Sequence, residues 1–381
     1  MNATRKTEQQ KKKRKKWKTI LIAALAMLLI LGGTGIAYGY YLAKKFETVA
    51  NQAQRHLVRG DKSALRTEKV DPVKDNFTLL FMGIDARQKG PSRSDALILA
   101  TFNHKTKKVK LVSIPRDSKV QIIDPTHQHD FGVSKITHAH AYGDAENGHG
   151  EDFTIATVEH LFNVPVDYFV QVDFDSFVTI INALGGVDVH VPVKLVTQNS
   201  KDQTGQHAIV LQPGWHRLNG EQALAFVRNR KSPGAGGDFG RGRRQMAVIE
   251  AMINKATKLS SFTKYSQVID SLNGHFQTNL TFGQMLSLRN YASALHGIKT
   301  LQLKGADDMS TGVYYFDLDD AYLAKISHIL HQQLGLTDEN STLSGSSSSS
   351  ATSTGSATSG ASSSVPEGSS SGSSSSTTTQ Y

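Results

Sequence analysis

Three short apolar runs between residues 76 and 117 limit the possible folds of this chain more than any other stretch. The first run covers Phe77–Ile84, the second covers Ala96–Phe102, and the third ends at Ile114. Runs of this length, rich in Val, Ile, Leu and Phe and bounded by Gly, Pro and Asn, predict β-strands. Because a short turn at His104–Lys107 separates the second run from the third, we expect these two strands to pair antiparallel.

Charged residues mark one edge of this predicted sheet. Asp85 follows the first run, Asp95 precedes the second, and Arg116 follows the third. If the strands pair as predicted, these side chains come within reach of one another. Two carboxylates suit Mg²⁺, or Mn²⁺ in its place, because such a cation completes its shell with phosphate and water oxygens. The stretch therefore predicts a site for a phosphorylated substrate.

The basic composition does not indicate a nucleic-acid partner once the charges are located. The formal net charge is +10, but residues 1–18 hold nine Lys and Arg against Glu8 alone. The rest of the chain is nearly neutral, whereas a nucleic-acid-binding domain carries its basic patch on the folded part. The chain has no cysteine, which excludes disulfides and thiol chemistry and is compatible with an exported protein.

An uncharged, mainly apolar stretch follows this basic segment. It covers residues 19–41, and a helix of about 20 residues spans the core of a bilayer. The heavier positive flank precedes it, which favours residues 1–18 in the cytoplasm and the rest of the chain outside. A cleaved signal peptide is the alternative, but its apolar core is ordinarily about 7 to 15 residues long. We expect an uncleaved single-pass anchor, followed by an extracellular stalk over residues 42–75.

Helical and strand patterns alternate from residue 76 to residue 336. Glu151–Asn163 has apolar residues at helical spacing, Asp167–Val172 follows as a strand, and a helix then runs to Leu184. This alternation predicts one catalytic domain of the α/β class over residues 76–336. The stretch 337–381 is a Ser/Thr-rich tail, with 27 Ser and Thr among the last 41 residues, a composition that predicts disorder.

A second group of charged residues lies between residues 218 and 245. Arg228 and Arg230 share a face if the chain there is extended, and Arg241 and Arg244 share a face at the start of a predicted helix. A helix N-terminus attracts anions, and guanidinium groups bind phosphate bidentately. Solvated surface arginines are the alternative, but several arginines among glycines next to an Asp favour a diphosphate site.

Two further patterns leave their roles open. A histidine-rich insertion contains two H-x-H pairs, which suit zinc on a strand, although solvated loop histidines are the default expectation. Its histidines are His127, His129, His138, His140 and His149. A group of apolar residues, namely Phe169, Phe174, Phe177 and Ile180, suits either a protein core or an apolar channel for a lipid tail.

Six spaced motifs make the chain resemble a known family. In order they are GIDAR, RSDALIL, SIPRDS, INALGGVDV, LNGEQALAFVRNR and GDFGRGRRQ, over roughly residues 76–260. Together, behind an N-terminal anchor, they resemble the LytR-CpsA-Psr family of membrane-anchored cell-wall glycopolymer ligases. The resemblance implies an α/β domain with a mixed central sheet flanked by helices. It also implies a location in the cell membrane of a Gram-positive-type envelope, with the catalytic domain outside.

The resemblance also assigns roles to individual residues. Asp85 and Asp95 match the acids that hold Mg²⁺, and Asp238 and Gln245 match polar positions of the family pattern. The arginines that match those around the diphosphate are Arg87, Arg93, Arg116, Arg228, Arg230, Arg241 and Arg244. We expect Gln245 to contact the diphosphate, and Arg116, Arg228 and Asp238 to act in catalysis. Asp238 or Asp117 is the candidate base, and a structural ion pair is the alternative for each acid.

The reaction implied by the resemblance is phosphoryl transfer to a peptidoglycan sugar hydroxyl, or to a protein acceptor. The donor is undecaprenyl diphosphate linked to teichoic acid or to a capsular polysaccharide, and Mg²⁺ and the arginines stabilise the reacting charge. A lipid diphosphate pyrophosphatase or phosphatase would use the same residues with water as the acceptor. A non-enzymatic regulatory membrane protein is the third alternative. Expected partners are the lipid-linked glycopolymer, peptidoglycan and membrane lipid, with no nucleic acid.

Overall fold

The computed structural model describes residues 37–86, 90–146, 148–257, 262–272, 274, 276–288, 290–291 and 298–336. The predicted cytoplasmic segment 1–18, most of the predicted membrane helix 19–41 and the tail 337–381 lie outside these residues. Within the described ranges, no helix combines the length and the apolar content that a bilayer crossing requires. The predictions of an anchor and of a disordered tail therefore stay predictions.

The described chain is a mixed series of helices and strands. In chain order they are α1 (37–53), β1 (Phe77–Asp85), β2 (Arg93–Phe102), β3 (Val109–Ile114), β4 (Lys119–Gln121), β5 (Val133–Lys135), α2 (Thr137–Ala145), α3 (Gly150–Phe162), β6 (Tyr168–Asp173), α4 (Phe174–Ala183), β7 (Val187–Val191), β8 (Leu195–Thr197), β9 (Ile209–Leu211), β10 (Gly214–Leu218), α5 (Gly220–Arg228), α6 (Gly237–Thr257), α7 (Phe262–Ser271), β11 (Phe276–Thr278), α8 (Phe282–Ser287), β12 (Lys299–Gln302), β13 (Gly305–Asp308), β14 (Tyr315–Leu318) and α9 (Asp320–Leu334).

A six-stranded mixed sheet forms the centre of the domain, in the order β11-β6-β1-β2-β3-β12. The three predicted runs are strands β1, β2 and β3, which pair antiparallel, with Phe77 opposite Phe102 and Leu99 opposite Val112. Strand β6 lies parallel to β1 and β12 lies parallel to β3, whereas β11 is antiparallel to β6. The α/β class and the mixed central sheet expected from the sequence are therefore confirmed.

Helices cover both faces of this sheet. Successive side chains of a strand point to opposite sides, so neighbouring residues of β1 belong to different cores. On one face Leu80 of β1 belongs to a core that includes Leu330 of α9. On the other face Leu79 belongs to a core that includes Met246 of α6. Phe169 of β6 lies in the first of these cores, fully buried, so the interpretation as core holds for this residue.

The segment before Arg228 folds as a helix and not as extended chain. Asn219 and Gln222 form a capping box, in which each side chain accepts a hydrogen bond from the backbone N–H of the other residue. Helix α5 then buries Phe226 and ends at Arg228. The extended conformation on which a shared face of Arg228 and Arg230 depended is therefore absent from this segment. Arg228 is the last helical residue, and Arg230 belongs to the connection between α5 and α6.

The histidine-rich segment is partly helical. His138 and His140 lie in α2, where residues two apart do not share a face, so they do not form the strand-type zinc pair considered above. His140 is 1% exposed and contacts the Gln171 side chain at 3.1 Å and the Ser92 carbonyl oxygen at 3.2 Å, which corrects the expectation of a solvated loop histidine. Among the described residues, no group of three or more His, Cys, Asp or Glu is placed to hold a metal ion.

Candidate active site

A β-bulge redirects Asp95 out of the central sheet. In the pairing of β1 with β2, Gly83 faces Ala96 and Ile84 faces Ser94, so Asp95 is the extra residue. Bulges bend a strand locally and re-aim the side chain that they carry. Asp95 lines a cavity beside the sheet, and its Oδ1 accepts a hydrogen bond of 2.7 Å from Arg116 Nη1. This contact confirms the prediction that Asp95 and Arg116 lie within reach of each other.

Arg116 begins a chain of alternating arginines and aspartates. Beyond its bond to Asp95, its Nε lies 3.4 Å from Asp117 Oδ2. Arg230 Nη1 lies 2.9 Å from the same oxygen, so Asp117 connects the end of β3 to the α5–α6 connection. Lys135 Nζ approaches the other oxygen of Asp117 at 3.2 Å. Three cationic side chains from three separate segments thus meet on one carboxylate.

This chain of charges continues to the start of α6. Arg230 Nη1 lies 3.9 Å from Asp238 Oδ2, and Arg241 Nη2 lies 2.7 Å from Asp238 Oδ1. We call the following residues the charged cluster: Asp95, Arg116, Asp117, Lys135, Arg230, Asp238 and Arg241. Its four cations outnumber its three carboxylates, which suits the binding of an anion.

Burial and neighbouring charges set the ionisation of the inner cluster. Asp117 is 3% exposed, and burial alone would raise its pKa, but Arg116 and Lys135 hold the pKa of Asp117 below its ordinary value. Burial lowers the pKa of Arg241, an effect that Asp238 opposes and Arg116 reinforces. An arginine nevertheless stays protonated in proteins. The cluster therefore combines an ionised Asp117 with permanently charged arginines at neutral pH.

Two glycines allow the start of α6 to place Arg241 close to the sheet. A Cβ atom added at Gly242 would lie 2.8 Å from the Ser113 hydroxyl oxygen on β3, so the helix lies in close contact with the strand at this glycine. A Cβ atom added at Gly240 would collide with the Ala235 carbonyl oxygen. Arg241 lies between these two close approaches. The glycines of the GDFGRGRRQ motif therefore place its guanidinium close to the sheet.

A cavity of about 830 Å³ opens beside the charged cluster, between the sheet and helices α4, α5 and α6. Its apolar lining comprises Phe81, Met82, Ala96, Ile98, Val170, Val172, Phe174, Phe177, Ile180, Val196, Ala208, Leu224, Val227, Ile249, Met252 and Ile253. Its charged and amide lining includes Asp95, Arg116, Gln198, Arg228, Arg230, Arg241 and Gln245. Phe174, Phe177 and Ile180, for which the sequence left both a core and an apolar channel open, line this cavity. The cavity combines an apolar wall with a cationic region.

Arg228 lines the same cavity but forms its ion pair outside the charged cluster. Its Nη2 bonds Asp202 Oδ1 at 2.7 Å. Its guanidinium carbon lies 5.2 Å from the centroid of the Phe174 ring. A guanidinium stacked on an aromatic ring keeps in-plane N–H groups that can bind phosphate. Arg228 therefore adds a second cationic position to the apolar wall.

Arg244 has a structural position and does not line the cavity, although the sequence placed it at the diphosphate. It is 3% exposed, and its guanidinium donates to the backbone carbonyl oxygens of Phe226, Ala235 and Asn229. Burial is the main cause that lowers the pKa of Arg244 to about 10, and neighbouring arginines add to it. Arg244 thus ties α6 to the connection that carries Arg230.

The other predicted residues occupy three different positions. Gln245 lines the cavity. Asp85 ends β1 directly opposite Arg93, the first residue of β2, and neither is among the described residues that line the cavity. Arg87 lies outside the described residues. Because β1 and β2 pair antiparallel, Asp85 and Asp95 lie on adjacent strands at the same end of the sheet.

Asp85 and Asp95 are the pair that could hold a divalent cation. Mg²⁺ is commonly bound by one or two carboxylates together with substrate phosphates and water, and Mn²⁺ accepts the same oxygen ligands. Two carboxylates fit such a site only when a phosphate completes it. Because Asp95 already bonds Arg116, we expect the cation to bind together with a phosphorylated ligand.

Two residues of the site were missed by the sequence analysis. Lys135 is the last residue of β5, and Tyr314 immediately precedes β14. The Tyr314 hydroxyl lies 3.2 Å from Asp238 Oδ2. Burial, with Asp307 and Asp238 adding to it, raises the pKa of Tyr314, so its hydroxyl stays a donor at neutral pH. No local pattern marks either residue, because only the tertiary fold brings them to the cluster.

Comparisons with known proteins agree with these motifs. The LytR_cpsA_psr family model matches residues 40–332. The chain is 40% identical over 326 residues to the polyisoprenyl-teichoic acid–peptidoglycan teichoic acid transferase TagT of Bacillus subtilis strain 168, covering 84% of this chain and 95% of that relative. A solved structure described as TagT bound to LI-WTA has a TM-score of 0.60 and 39% identity, over 74% of this chain and 100% of that one.

A further solved structure is the LytR-CPS2A-psr family protein YwtF (TagT) with bound octaprenyl pyrophosphate lipid. It has a TM-score of 0.57 and 37% identity, over 74% of this chain and 100% of that one. The family match covers well over half of the chain, and these relatives are matched along nearly their whole length. The chain therefore belongs to the LytR-CpsA-Psr family, as its motifs predicted.

Proposed function

We propose that this protein transfers a teichoic-acid-type glycopolymer from a polyprenyl diphosphate carrier to a peptidoglycan sugar hydroxyl. The observation that carries the proposal is the apolar cavity that opens on the arginines of the charged cluster. A polyprenyl diphosphate has the same two parts, an apolar chain and a multiply charged anion. The transferase TagT and the TagT structure with octaprenyl pyrophosphate support this assignment. We propose undecaprenyl as the carrier chain, and residues 19–41 as the anchor that keeps the site at the outer face of the membrane.

The diphosphate is proposed to lie against Arg116, Arg230 and Arg241. All three line the cavity, and the side chains of Arg116 and Arg230 are about one third exposed. Their carboxylate partners hold the guanidinium groups in place, so little reorganisation is needed when the phosphate oxygens arrive. Arg228 and Gln245 are available to further oxygens of the same ligand.

The reaction exchanges one phosphorus–oxygen bond for another. The acceptor hydroxyl oxygen forms a bond to the phosphorus that carries the glycopolymer. The bond from that phosphorus to the oxygen of the polyprenyl phosphate breaks, and polyprenyl phosphate leaves with the electron pair. The arginines stabilise the non-bridging oxygens as charge moves between the two bonds. The diphosphate bond itself supplies the driving force, so no nucleotide is required.

Asp238 is the better candidate than Asp117 to take the proton of the acceptor hydroxyl. Asp117 contacts Arg116, Arg230 and Lys135, and these cations hold its pKa below the ordinary value, which makes it a weaker base. Asp238 has one close cationic partner, Arg241, and its other oxygen lies toward the Tyr314 hydroxyl. Asp238 therefore has fewer close cationic partners than Asp117.

Asp85 and Asp95 are proposed to hold Mg²⁺, or Mn²⁺, which would neutralise part of the diphosphate charge when bound. We expect Asp95→Asn to raise the Mg²⁺ concentration for half-maximal transfer by at least about tenfold, because loss of a metal-site group usually costs that much affinity. Titration of the transfer rate with Mg²⁺ measures this. Asp188→Asn, in an exposed pair with Arg217, is the control, and an identical Mg²⁺ dependence for both variants would count against the metal site.

A bulky residue in the apolar wall is expected to weaken the binding of the lipid. Ile253 of α6 lines the cavity, so Ile253→Trp should displace part of the polyprenyl chain. Because each buried CH₂ contributes about 0.8 kcal/mol, excluding two or three of them weakens binding by about tenfold or more. Binding of a polyprenyl diphosphate to the purified protein measures the effect. Val210→Trp, at a half-exposed position on β9, is the control and should bind as the wild type does.

The product of the reaction decides between the proposed function and its alternatives. Purified protein is incubated with a polyprenyl diphosphate-linked oligosaccharide, a peptidoglycan oligomer and Mg²⁺, and the products are analysed by mass spectrometry. We expect the oligosaccharide joined to peptidoglycan through a phosphodiester. Free phosphorylated oligosaccharide would instead indicate a pyrophosphatase, and the absence of any turnover would favour the regulatory alternative.

A further inference from the structure

The β13–β14 hairpin is fixed against the charged cluster. The backbone N–H of Phe316 donates to the Asp117 carbonyl oxygen at 2.9 Å, and Lys119 Nζ donates to Asp308 Oδ2 at 3.0 Å. The Phe316 ring packs on Phe239 of α6, with 5.2 Å between ring centroids. The hairpin is therefore held by the regions that carry two of the three acids of the cluster, residues 117–119 with Asp117 and the start of α6 with Asp238.

Tyr314 brings a hydroxyl group from this hairpin to the cluster. Its hydroxyl lies 3.2 Å from Asp238 Oδ2 and 2.9 Å from Asp307 Oδ1. Its ring centroid lies 5.6 Å from the guanidinium carbon of Arg230 and 5.8 Å from Lys135 Nζ. A phenol carries one proton, so it donates to one of the two carboxylates at a time. The second carboxylate can then accept a hydrogen bond from a ligand hydroxyl.

Arg230 contacts both the hairpin and the apolar cavity, and different residues line these two regions. Arg230 lines the cavity, whereas Tyr314, Asp307 and Asp238 are not among the described residues that line it. In phosphoryl transfer the attacking and leaving oxygens lie roughly in line on opposite sides of the phosphorus. If the leaving polyprenyl phosphate extends into the cavity, the attacking hydroxyl approaches from the side of the hairpin.

We propose that the β13–β14 hairpin forms the acceptor subsite, that its ligand is a glycan, and that Tyr314 positions the attacking hydroxyl beside Asp238. Tyr314 and Tyr315 are half-buried, so part of each ring remains accessible to the apolar face of a sugar ring. The exposed carboxylate of Asp307 can accept hydrogen bonds from sugar hydroxyls. This inference rests on the proposed function and adds to it the place where the acceptor binds.

Steady-state kinetics with Tyr314→Ala and Tyr314→Phe test the subsite. The acceptor, a peptidoglycan oligosaccharide, is varied at saturating donor, and donor affinity is measured separately with a polyprenyl diphosphate. We expect Tyr314→Ala to raise the acceptor KM by about tenfold or more, because it removes the aromatic face. Tyr314→Phe should mainly lower kcat, by about tenfold, because it removes the hydroxyl beside Asp238. Tyr322→Phe, on α9, is the matched control and should behave as the wild type.

The outcomes separate this inference from the proposed function. A raised acceptor KM with unchanged donor affinity supports the subsite. An unchanged acceptor KM, or a loss confined to donor affinity, overturns the subsite. The proposed function is tested separately, by the product that the wild-type protein forms. Asp307→Asn, at an exposed position of the hairpin, provides a second variant that should fold normally. It should raise the acceptor KM about threefold or more, and an unchanged KM in this variant also counts against the subsite.

Discussion

Replacing Arg230 with alanine is expected to lower the rate of glycopolymer transfer by about 10²- to 10³-fold, with little change in the unfolding temperature. Arg230 lines the cavity, and 31% of its side chain is exposed toward it or toward solvent. It lies 2.9 Å from Asp117, but that acid keeps Arg116 and Lys135 as partners when Arg230 is removed. The loss therefore falls on the substrate phosphate and not on the folded state.

Comparison with a surface arginine makes this prediction specific. Arg217 bonds Asp188 at 2.8 Å, and 63% of its side chain is exposed. Exposed pairs of this kind contribute little to stability, so Arg217→Ala should leave both the transfer rate and the unfolding temperature unchanged. Transfer by Arg230→Ala at the wild-type kcat/KM would remove Arg230 from the active site.

The opposite pattern is expected for Arg244→Met, which should lower the free energy of unfolding by about 3–5 kcal/mol. The side chain is buried, and its removal leaves the carbonyl oxygens of Phe226, Ala235 and Asn229 without their donor. Methionine fills much of the volume without replacing the three hydrogen bonds. Urea denaturation measures the change, and binding of a polyprenyl diphosphate to the folded variant should weaken much less than in Arg230→Ala.

The neighbouring Arg243 is the matched control for this variant. It is exposed on the same turn of α6, so Arg243→Met should leave the free energy of unfolding nearly unchanged. If Arg244→Met kept the wild-type stability but lost its affinity for the diphosphate, the structural position of Arg244 would be the wrong explanation. A direct contact between Arg244 and the diphosphate, as the family resemblance implied, would then be the better explanation.

The part of the fold that the sequence predicted is the part that local patterns determine. Apolar runs and a short turn were sufficient for the pairing of β2 with β3, and strand ends were sufficient to bring Asp95 to Arg116. The helix α5 was missed although its signal was present. The capping-box residues Asn219 and Gln222 precede its apolar face, and this pattern predicts the start of a helix.

Residue spacing alone could not separate the arginines by function. Arg241 and Arg244 share a helix face, as predicted, yet Arg241 meets Asp238 at the cavity and Arg244 binds backbone carbonyl oxygens. The difference arises from what packs against α6, which the sequence of the helix does not contain. Lys135 and Tyr314 were missed for the same reason, since both reach the cluster across long chain separations.

Apolar residues posed a related problem. Phe169 and Phe174 are alike in sequence terms, but Phe169 lies in the core under the sheet and Phe174 lines the cavity. A core and a lipid channel require the same side chains, so composition cannot distinguish them. The distinction depends on whether helices α4 and α6 close against the sheet or leave a space between them.

The structure of the protein with a bound polyprenyl diphosphate would test the central claim most directly. We predict that the prenyl chain lies in the cavity between the sheet and helices α4 and α6. We also predict that oxygens of the diphosphate lie within hydrogen-bond distance of Arg116, Arg230 and Arg241. A diphosphate bound away from these three guanidinium groups, or a prenyl chain outside the cavity, would contradict the account.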